Sequence, residues 1–198
     1  MKKISVGLAG GIGSGKSTVA SLLENYGAEI VSGDELGREV VENDPSVKVE
    51  IQRVLGDTVL RPDGSFDRGR IAQRVFAEQR MIDWLTKLTF PAIHMRWLSA
   101  FQSSNSRVIV FDAALIFEWG IEREFDLTIG VLADHELVMS RIGEKFSRDD
   151  ILRRMSLQAS MIGKIMFADV LIENNDSREN LMRQVERVWY DNILPLTA

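Results

Sequence analysis

Cysteine is absent from the 198 residues, which removes disulfides, zinc–thiolate sites and thiol nucleophiles together. A reducing cytoplasm is the location this predicts. No apolar run approaches the roughly 20 residues of a membrane helix. The opening Met1-Lys2-Lys3-Ile4-Ser5-Val6 meets glycines and Lys16 before a signal-peptide core can form. Positive charge is in deficit: 24 Lys+Arg stand against 29 Asp+Glu, a net −5. That argues against nucleic-acid or anionic-membrane partners but leaves room for a local basic pocket. Proline is scarce, at four, and none marks a long linker; repeats and low-complexity tracts are missing. The two histidines, His94 and His135, have no partner constellation and read as surface or packing residues. No obligatory protein partner is evident.

What is present is enough apolar residue, 45%, for a real core, with 27% charge, an ordinary globular surface. The length fits one domain, or one with a sizeable insertion. Short apolar strands alternate with helical patterns, which predicts an α/β fold with a mainly parallel sheet covered on both faces. Strands are expected at Ile4 to Leu8, Ala28 to Val31, Ser106 to Asp112, Asp126 to Leu132 and Ala168 to Ile172. Gly15 to Tyr26 should be helical, with Val19, Leu22 and Leu23 on one face. The last helix should run from Ser177, its N-cap, to Asn192. Helical spacing dominates residues 33–105, where Leu85, Leu88, Ile93, Trp97, Leu98 and Phe101 outline apolar faces. This stretch reads as a helical insertion between the second and third strands, leaving a core of about 1–32, 106–133 and 168–198. Residues 134–167 form a second helical region carrying Arg141, Lys145, Arg148, Arg153, Arg154 and Lys164. Met139, Met155, Met161 and Met166 read as core filler.

The sharpest signal is Gly10-Gly11-Ile12-Gly13-Ser14-Gly15-Lys16-Ser17, followed by Thr18. It fits Gly, four residues, then Gly-Lys-Ser/Thr, with an apolar strand before it and an amphipathic helix after. Glycines let the backbone approach phosphate and take positive φ. Successive N–H groups of Gly11, Ile12, Gly13, Ser14 and Gly15 then make a nest for anionic oxygen, and the helix end adds its dipole. Lys16 would serve the β- and γ-phosphates, and Ser17 would ligate Mg²⁺.

Carboxylates supply the rest. Asp112 ends the Val108-Ile109-Val110-Phe111 strand and could reach the Mg²⁺ shell, or could be a cap or turn residue. Asp34 follows the second strand and could take a proton from an attacking hydroxyl, or could cap the helix Glu35 to Glu42. Glu118 either positions substrate or is simply exposed.

With these residues in place, the chain resembles the dephospho-CoA kinases, P-loop kinases related to the nucleoside monophosphate kinases. The likeness runs through Val6 to Ala20, Gly33-Asp34, Arg38-Glu39-Val40-Val41, Asp63-Gly64-Ser65-Phe66-Asp67-Arg68 and Val75-Phe76-Ala77. It continues in Leu115-Ile116-Phe117-Glu118, Gln158-Ala159-Ser160 and Ala168 to Asn174, so it covers nearly the whole chain in order. The resemblance implies a three-layer P-loop NTPase fold with a five-stranded parallel sheet, a helical acceptor-binding region and a lid over about 134–167. It implies transfer of the ATP γ-phosphoryl group to the ribose 3′-hydroxyl of dephospho-CoA, with Mg²⁺. Asp34 would be the base, and Arg38 and Glu118 would hold the acceptor. Asn174 and Asn175 would lie near adenine. Arg141, Lys145 and Lys164 would be candidate lid cations.

The chain departs from the family pattern at Ser32, where an acidic residue is usual, at Ala114, usually proline, and at Phe90-Pro91, usually His-Pro. Met161 and Lys164 stand where arginines are expected, and lysine lacks arginine's bidentate fork. These departures keep two alternatives in view, a related kinase with another small acceptor and a weakly active nucleotide binder. A guanine-nucleotide switch has less support. Asp34-Glu35-Leu36-Gly37 fits Asp-x-x-Gly but comes before the third strand, and no Asn-Lys-x-Asp occurs.

Overall fold

The computed structural model describes residues 2–143, 151–152, 156 and 163–198. The chain divides into two compact units: Met1–Ser32 with Phe101–Ala198, and Gly33–Ala100.

The first unit is built on five parallel strands: β1 (Ile4–Gly10), β2 (Glu29–Ser32), β3 (Val108–Asp112), β4 (Leu127–Leu132) and β5 (Val170–Glu173). Their order in the sheet is β2-β3-β1-β4-β5. Parallel strands covered on both faces read as unbroken apolar runs, and all seven residues of β1 are buried. Ile4, Val6 and Leu8 pack in one cluster with Val19 and Leu23 of α1 (Lys16–Asn25) and with Leu181 and Val185 of the C-terminal helix α8 (Arg178–Arg187). On the opposite face a Cβ at Gly7 would meet Phe125 and Ile116 at 3.0–3.2 Å, so glycine is what lets that layer close on β1. Phe111 stacks there on Trp119 and Phe125.

The five expected strands, the first and last helices and the helical stretch between the second and third strands are present, with shifted ends; the expected helical region 134–167 is described only in part. β1 runs two residues further, to Gly10, because Ala9 and Gly10 pair with Gly130 and Val131 of β4. The fifth strand begins at Val170 rather than Ala168, since Asp169 is spent accepting from the Thr128 N–H and hydroxyl, both at 2.7 Å. Ser177 caps α8 as expected, accepting from the Asn180 N–H at 3.2 Å. The helix does not reach Asn192 in α form. Wider π turns take over at Val188–Ile193 and a 3₁₀ segment at Leu194–Thr197. Pro195 cannot supply the N–H that an α ladder would send to Asp191. Trp189 stacks on Tyr26 in this stretch, with ring centroids 5.6 Å apart.

The second unit holds α2 (Gly33–Asn43), α3 (Pro45–Leu55), α4 (Arg68–Val75) and most of α5 (Gln79–Ser103). Val40, Val47, Ile51, Leu55, Val59, Phe66, Ile71, Val75, Ile93 and Trp97 are its buried apolar residues. Its local signals are caps and turns. Asp44 caps α3 through the Ser46 and Val47 N–H groups, with Pro45 in the first turn. In Asp63-Gly64-Ser65-Phe66-Asp67-Arg68, Asp63 accepts from the Ser65 N–H and hydroxyl, Gly64 takes φ +82°, Phe66 is buried and Asp67 caps α4. That stretch is therefore a folding device. His94 stacks on Phe90 at 5.4 Å, and His135 opens helix α7 (His135–Ile142). Met166 corrects one expectation: it is 53% exposed rather than core, and Met139 is only half-buried. Met155, Met161 and Gln158-Ala159-Ser160 lie outside the described residues.

Candidate active site

Parallel strands open all their carboxyl ends on one crevice. Two of the expected residues meet there. β1 delivers the glycine-rich turn, and β3, its neighbour, delivers Asp112 opposite Leu8 of β1 and Ser32 of β2. The Lys16 ammonium, in the first turn of α1, pairs with Asp112 Oδ1. Both side chains keep less than a fifth of their surface, so water screens the pair only weakly.

The loop has the predicted backbone. Gly13 and Gly15 take φ of +70° and +93°, which ordinary side chains resist. The Ser14 N–H closes the turn on Gly11 O at 3.1 Å, and Thr18 and Val19 send their N–H groups to Gly15 O. Close approach is a second reason for glycine at position 13 and the reason for it at position 10. A Cβ on Gly13 would sit 3.0 Å from Val138, and one on Gly10 would sit 2.8 Å from Ser14 Oγ. Ser14 is 3% exposed and its hydroxyl has no hydrogen-bond partner among the described residues. Ser17 is exposed on α1, and Ile12 and Thr18 are half-buried.

Residues far along the chain hold this loop. Asn174 Nδ2 donates to Ser14 O at 2.8 Å, and the Asn174 N–H donates to Leu132 O at 2.8 Å. Arg141, from the last turn of α7, donates through Nη2 to Asn174 O at 2.8 Å and through Nη1 to Gly13 O at 3.4 Å. The Asn175 Oδ1 accepts the Asp134 N–H at 2.8 Å. The sequence pointed to Asn174 only through its neighbourhood; nothing in it signals a contact to a residue 160 positions away.

Other expected residues lie elsewhere. Asp34 and Arg38 belong to the second unit, exposed and one turn apart on α2. The reading of Asp34 as an N-cap is corrected: α2 already starts at Gly33, so Asp34 sits within the first turn, where its charge meets the positive end of the helix. Glu118, in the short helix α6 (Ile116–Trp119), is not simply exposed. Both its carboxyl oxygens are buried without a hydrogen-bond partner among the described residues. Burial pushes its carboxyl above the usual range, and the Lys164 charge pulls partly back. Lys164 lines a cavity of about 550 Å³ with Phe117, Asp126, Thr128 and Asp169, the last three marking the amino ends of β4 and β5. Lys145 lies outside the described residues.

The model of the dephospho-CoA kinase family matches residues 4–180. A dephospho-CoA kinase of Corynebacterium glutamicum is 33% identical over 190 residues, 93% of this chain and 95% of its own length. That of Corynebacterium jeikeium is 36% identical over 191 residues, 94% and 98% of the two chains. Among solved structures, a protein of Thermus thermophilus matches with TM-score 0.81 at 28% identity, covering 97% of this chain and 99% of its own. A dephospho-CoA kinase of Campylobacter jejuni matches in fold with TM-score 0.67 at 20% identity, over 94% and 96%.

Proposed function

Given that the chain belongs to the dephospho-CoA kinase family, and so transfers the terminal phosphoryl group of ATP to the ribose 3′-hydroxyl of dephospho-CoA, the last step of coenzyme A biosynthesis, we propose how its own residues divide the work. The observation that carries the assignment is the pairing of Lys16 with Asp112 beside the glycine turn, at the carboxyl ends of β1 and β3.

The N–H groups of the Gly11–Thr18 loop that no backbone carbonyl takes up receive the phosphate oxygens of ATP, and Lys16 exchanges Asp112 for the β- and γ-phosphates. The segment at Asn175 borders the adenine. Arg38 and Glu118 hold the acceptor. Asp34 accepts the proton of the 3′-hydroxyl as that oxygen bonds to the γ-phosphorus. The bond from this phosphorus to the β–γ bridging oxygen breaks, and ADP leaves. Residues 134–167 act as the lid, and Arg141 and Lys145 are its candidate cations; Lys164 is set aside because it lines the cavity at the amino ends of β4 and β5.

Mg²⁺ fits this donor set. Ser17 and Asp112 offer a hydroxyl and a carboxylate, the hard oxygen ligands Mg²⁺ prefers. No cluster of three or more His, Cys, Asp or Glu occurs among the described residues, which suits an ion held largely by substrate phosphates rather than by a protein cage. When bound, the ion would neutralise charge on the β- and γ-oxygens.

Both substrates are small, soluble anions. Among the described residues no helix is long and apolar enough to cross a membrane. We place the enzyme in the cytoplasm.

The test is an ADP-release assay with ATP–Mg²⁺ and dephospho-CoA, beside nucleoside monophosphates. Turnover with dephospho-CoA alone is the expected result. Turnover only with a monophosphate would overturn the acceptor assignment.

A further inference from the structure

Two of the phosphate loop's carbonyls are held from outside it, Ser14 O by Asn174 and Gly13 O by Arg141. We propose that Asn174 is a positioning residue which aims the Gly15 N–H at the nucleotide's phosphates; this rests on the reading above that ATP sits on the Gly11–Thr18 loop.

The argument is one of peptide geometry. A trans peptide is planar, so its C=O and N–H point in opposite directions. Asn174 Nδ2 fixes the Ser14 carbonyl at 2.8 Å. The N–H across that same peptide, on Gly15, must therefore point away from Asn174. Among the described residues the Gly15 N–H donates to nothing, whereas the Ser14, Thr18 and Val19 N–H groups all have backbone acceptors. It is an unspent donor of the loop, and Asn174 sets its direction. The peptide before it is held in the same way: Arg141 Nη1 reaches Gly13 O at 3.4 Å, and the Ser14 N–H across that peptide turns to Gly11 O.

Asn174 is itself immobilised. It is 8% exposed, its N–H is tied to Leu132 O at the end of β4, and its own carbonyl accepts Arg141 Nη2 at 2.8 Å. Glycine at position 15 makes the contact sterically feasible, because a Cβ there would lie 2.2 Å from Asn174 Nδ2. An amide buried against the loop in this way is already engaged by the backbone, so Asn174 acts on the phosphates through the loop rather than on the base.

The experiment titrates Asn174→Ala and Asn174→Leu with ATP and with adenosine, alongside steady-state kinetics. Asn174→Leu keeps the branched shape and removes the amide; Lys16→Ala serves as the loop control. Leaving Ser14 O unbonded should weaken ATP binding and raise the ATP KM about tenfold in both Asn174 variants. Adenosine affinity and the dephospho-CoA KM should stay within about twofold, because neither depends on the loop's donors. A loss for adenosine as large as that for ATP would make Asn174 a base contact or a general folding residue, and would sink the proposal. Normal ATP binding by Asn174→Leu would also sink it, by showing that volume and not the hydrogen bond matters. An unchanged ATP titration in Lys16→Ala would instead remove the loop reading itself, and this inference with it.

Discussion

Lys16 and Asp112 come from positions 96 residues apart and meet as an ion pair between the ends of two neighbouring parallel strands. Neither side chain is well exposed, so each supplies the charge that makes the other tolerable in the crevice. A nucleotide's phosphates would offer Lys16 a second, stronger set of acceptors. Removing the ammonium should therefore damage ligand binding more than folding. Lys16→Ala is expected to lower ATP affinity at least tenfold, the scale of a charged hydrogen bond lost. Titration with ATP–Mg²⁺ checks it, and a parent-like curve contradicts the loop assignment.

Asp112 should show its role through the metal. Asp112→Asn keeps the shape and a hydrogen bond to Lys16 but removes the negative charge. Turnover in this variant should need more Mg²⁺, with the half-saturating concentration raised at least severalfold, as expected when one of the few protein oxygen ligands weakens. An Mg²⁺ dependence that matches the parent would leave Asp112 only the task of holding Lys16.

Asp34 stands exposed in the first turn of α2 and makes no hydrogen bond among the described residues. Its carboxylate is thus available for proton transfer. Asp34→Asn should keep ATP affinity and lower turnover by about 10²–10⁴-fold, the usual scale for general-base loss. Near-normal kcat ends the base assignment.

Glu118 gives a pH signature. Burial raises its carboxyl above the ordinary value, so the folded chain keeps this proton to a higher pH than the unfolded chain does. Folding is then progressively weakened as pH climbs from the unfolded value, about 4.3, through the raised folded one. Glu118→Gln removes that cost. Its Tm should exceed the parent's at pH 7 and match it near pH 4, while the KM for dephospho-CoA rises. A Tm difference independent of pH would refute the titration argument, and an unchanged KM would refute the acceptor contact.

The sequence and the structure agree where local chemistry decides. Val108-Ile109-Val110-Phe111 can only be a strand buried on both faces, and the spacing from Gly10 to Ser17 can hardly be anything but a phosphate loop. Asp112 follows from that strand's end. They part where tertiary contacts decide. Ala9 and Gly10 carry no strand propensity, yet β4 pairs with them. Asp169 leaves the ladder for Thr128. The turns at Val188–Ile193 widen where Trp189 stacks on Tyr26 and Pro195 lies ahead. Asn174 and Arg141 are ordinary polar residues until the fold brings them against Ser14 and Gly13.

Two glycines separate conformational strain from collision. Gly15 and Gly27 have nearly the same φ, +93° and +102°. At Gly27 a Cβ would meet nothing within 4 Å, whereas at Gly15 it would lie 2.2 Å from Asn174 Nδ2. Gly27→Ala should therefore cost only the left-handed backbone penalty, about 1–2 kcal/mol, and leave the ATP KM alone. Gly15→Ala carries the same penalty and must also push Asn174 off Ser14 O, freeing the peptide that aims the Gly15 N–H. It should lose ATP binding as well as stability. Thermal melts with and without ATP–Mg²⁺ compare the two: the ligand-induced rise in Tm should survive in Gly27→Ala and vanish in Gly15→Ala. Equal rises in both variants would mean that Asn174 yields to the methyl group without consequence for the loop.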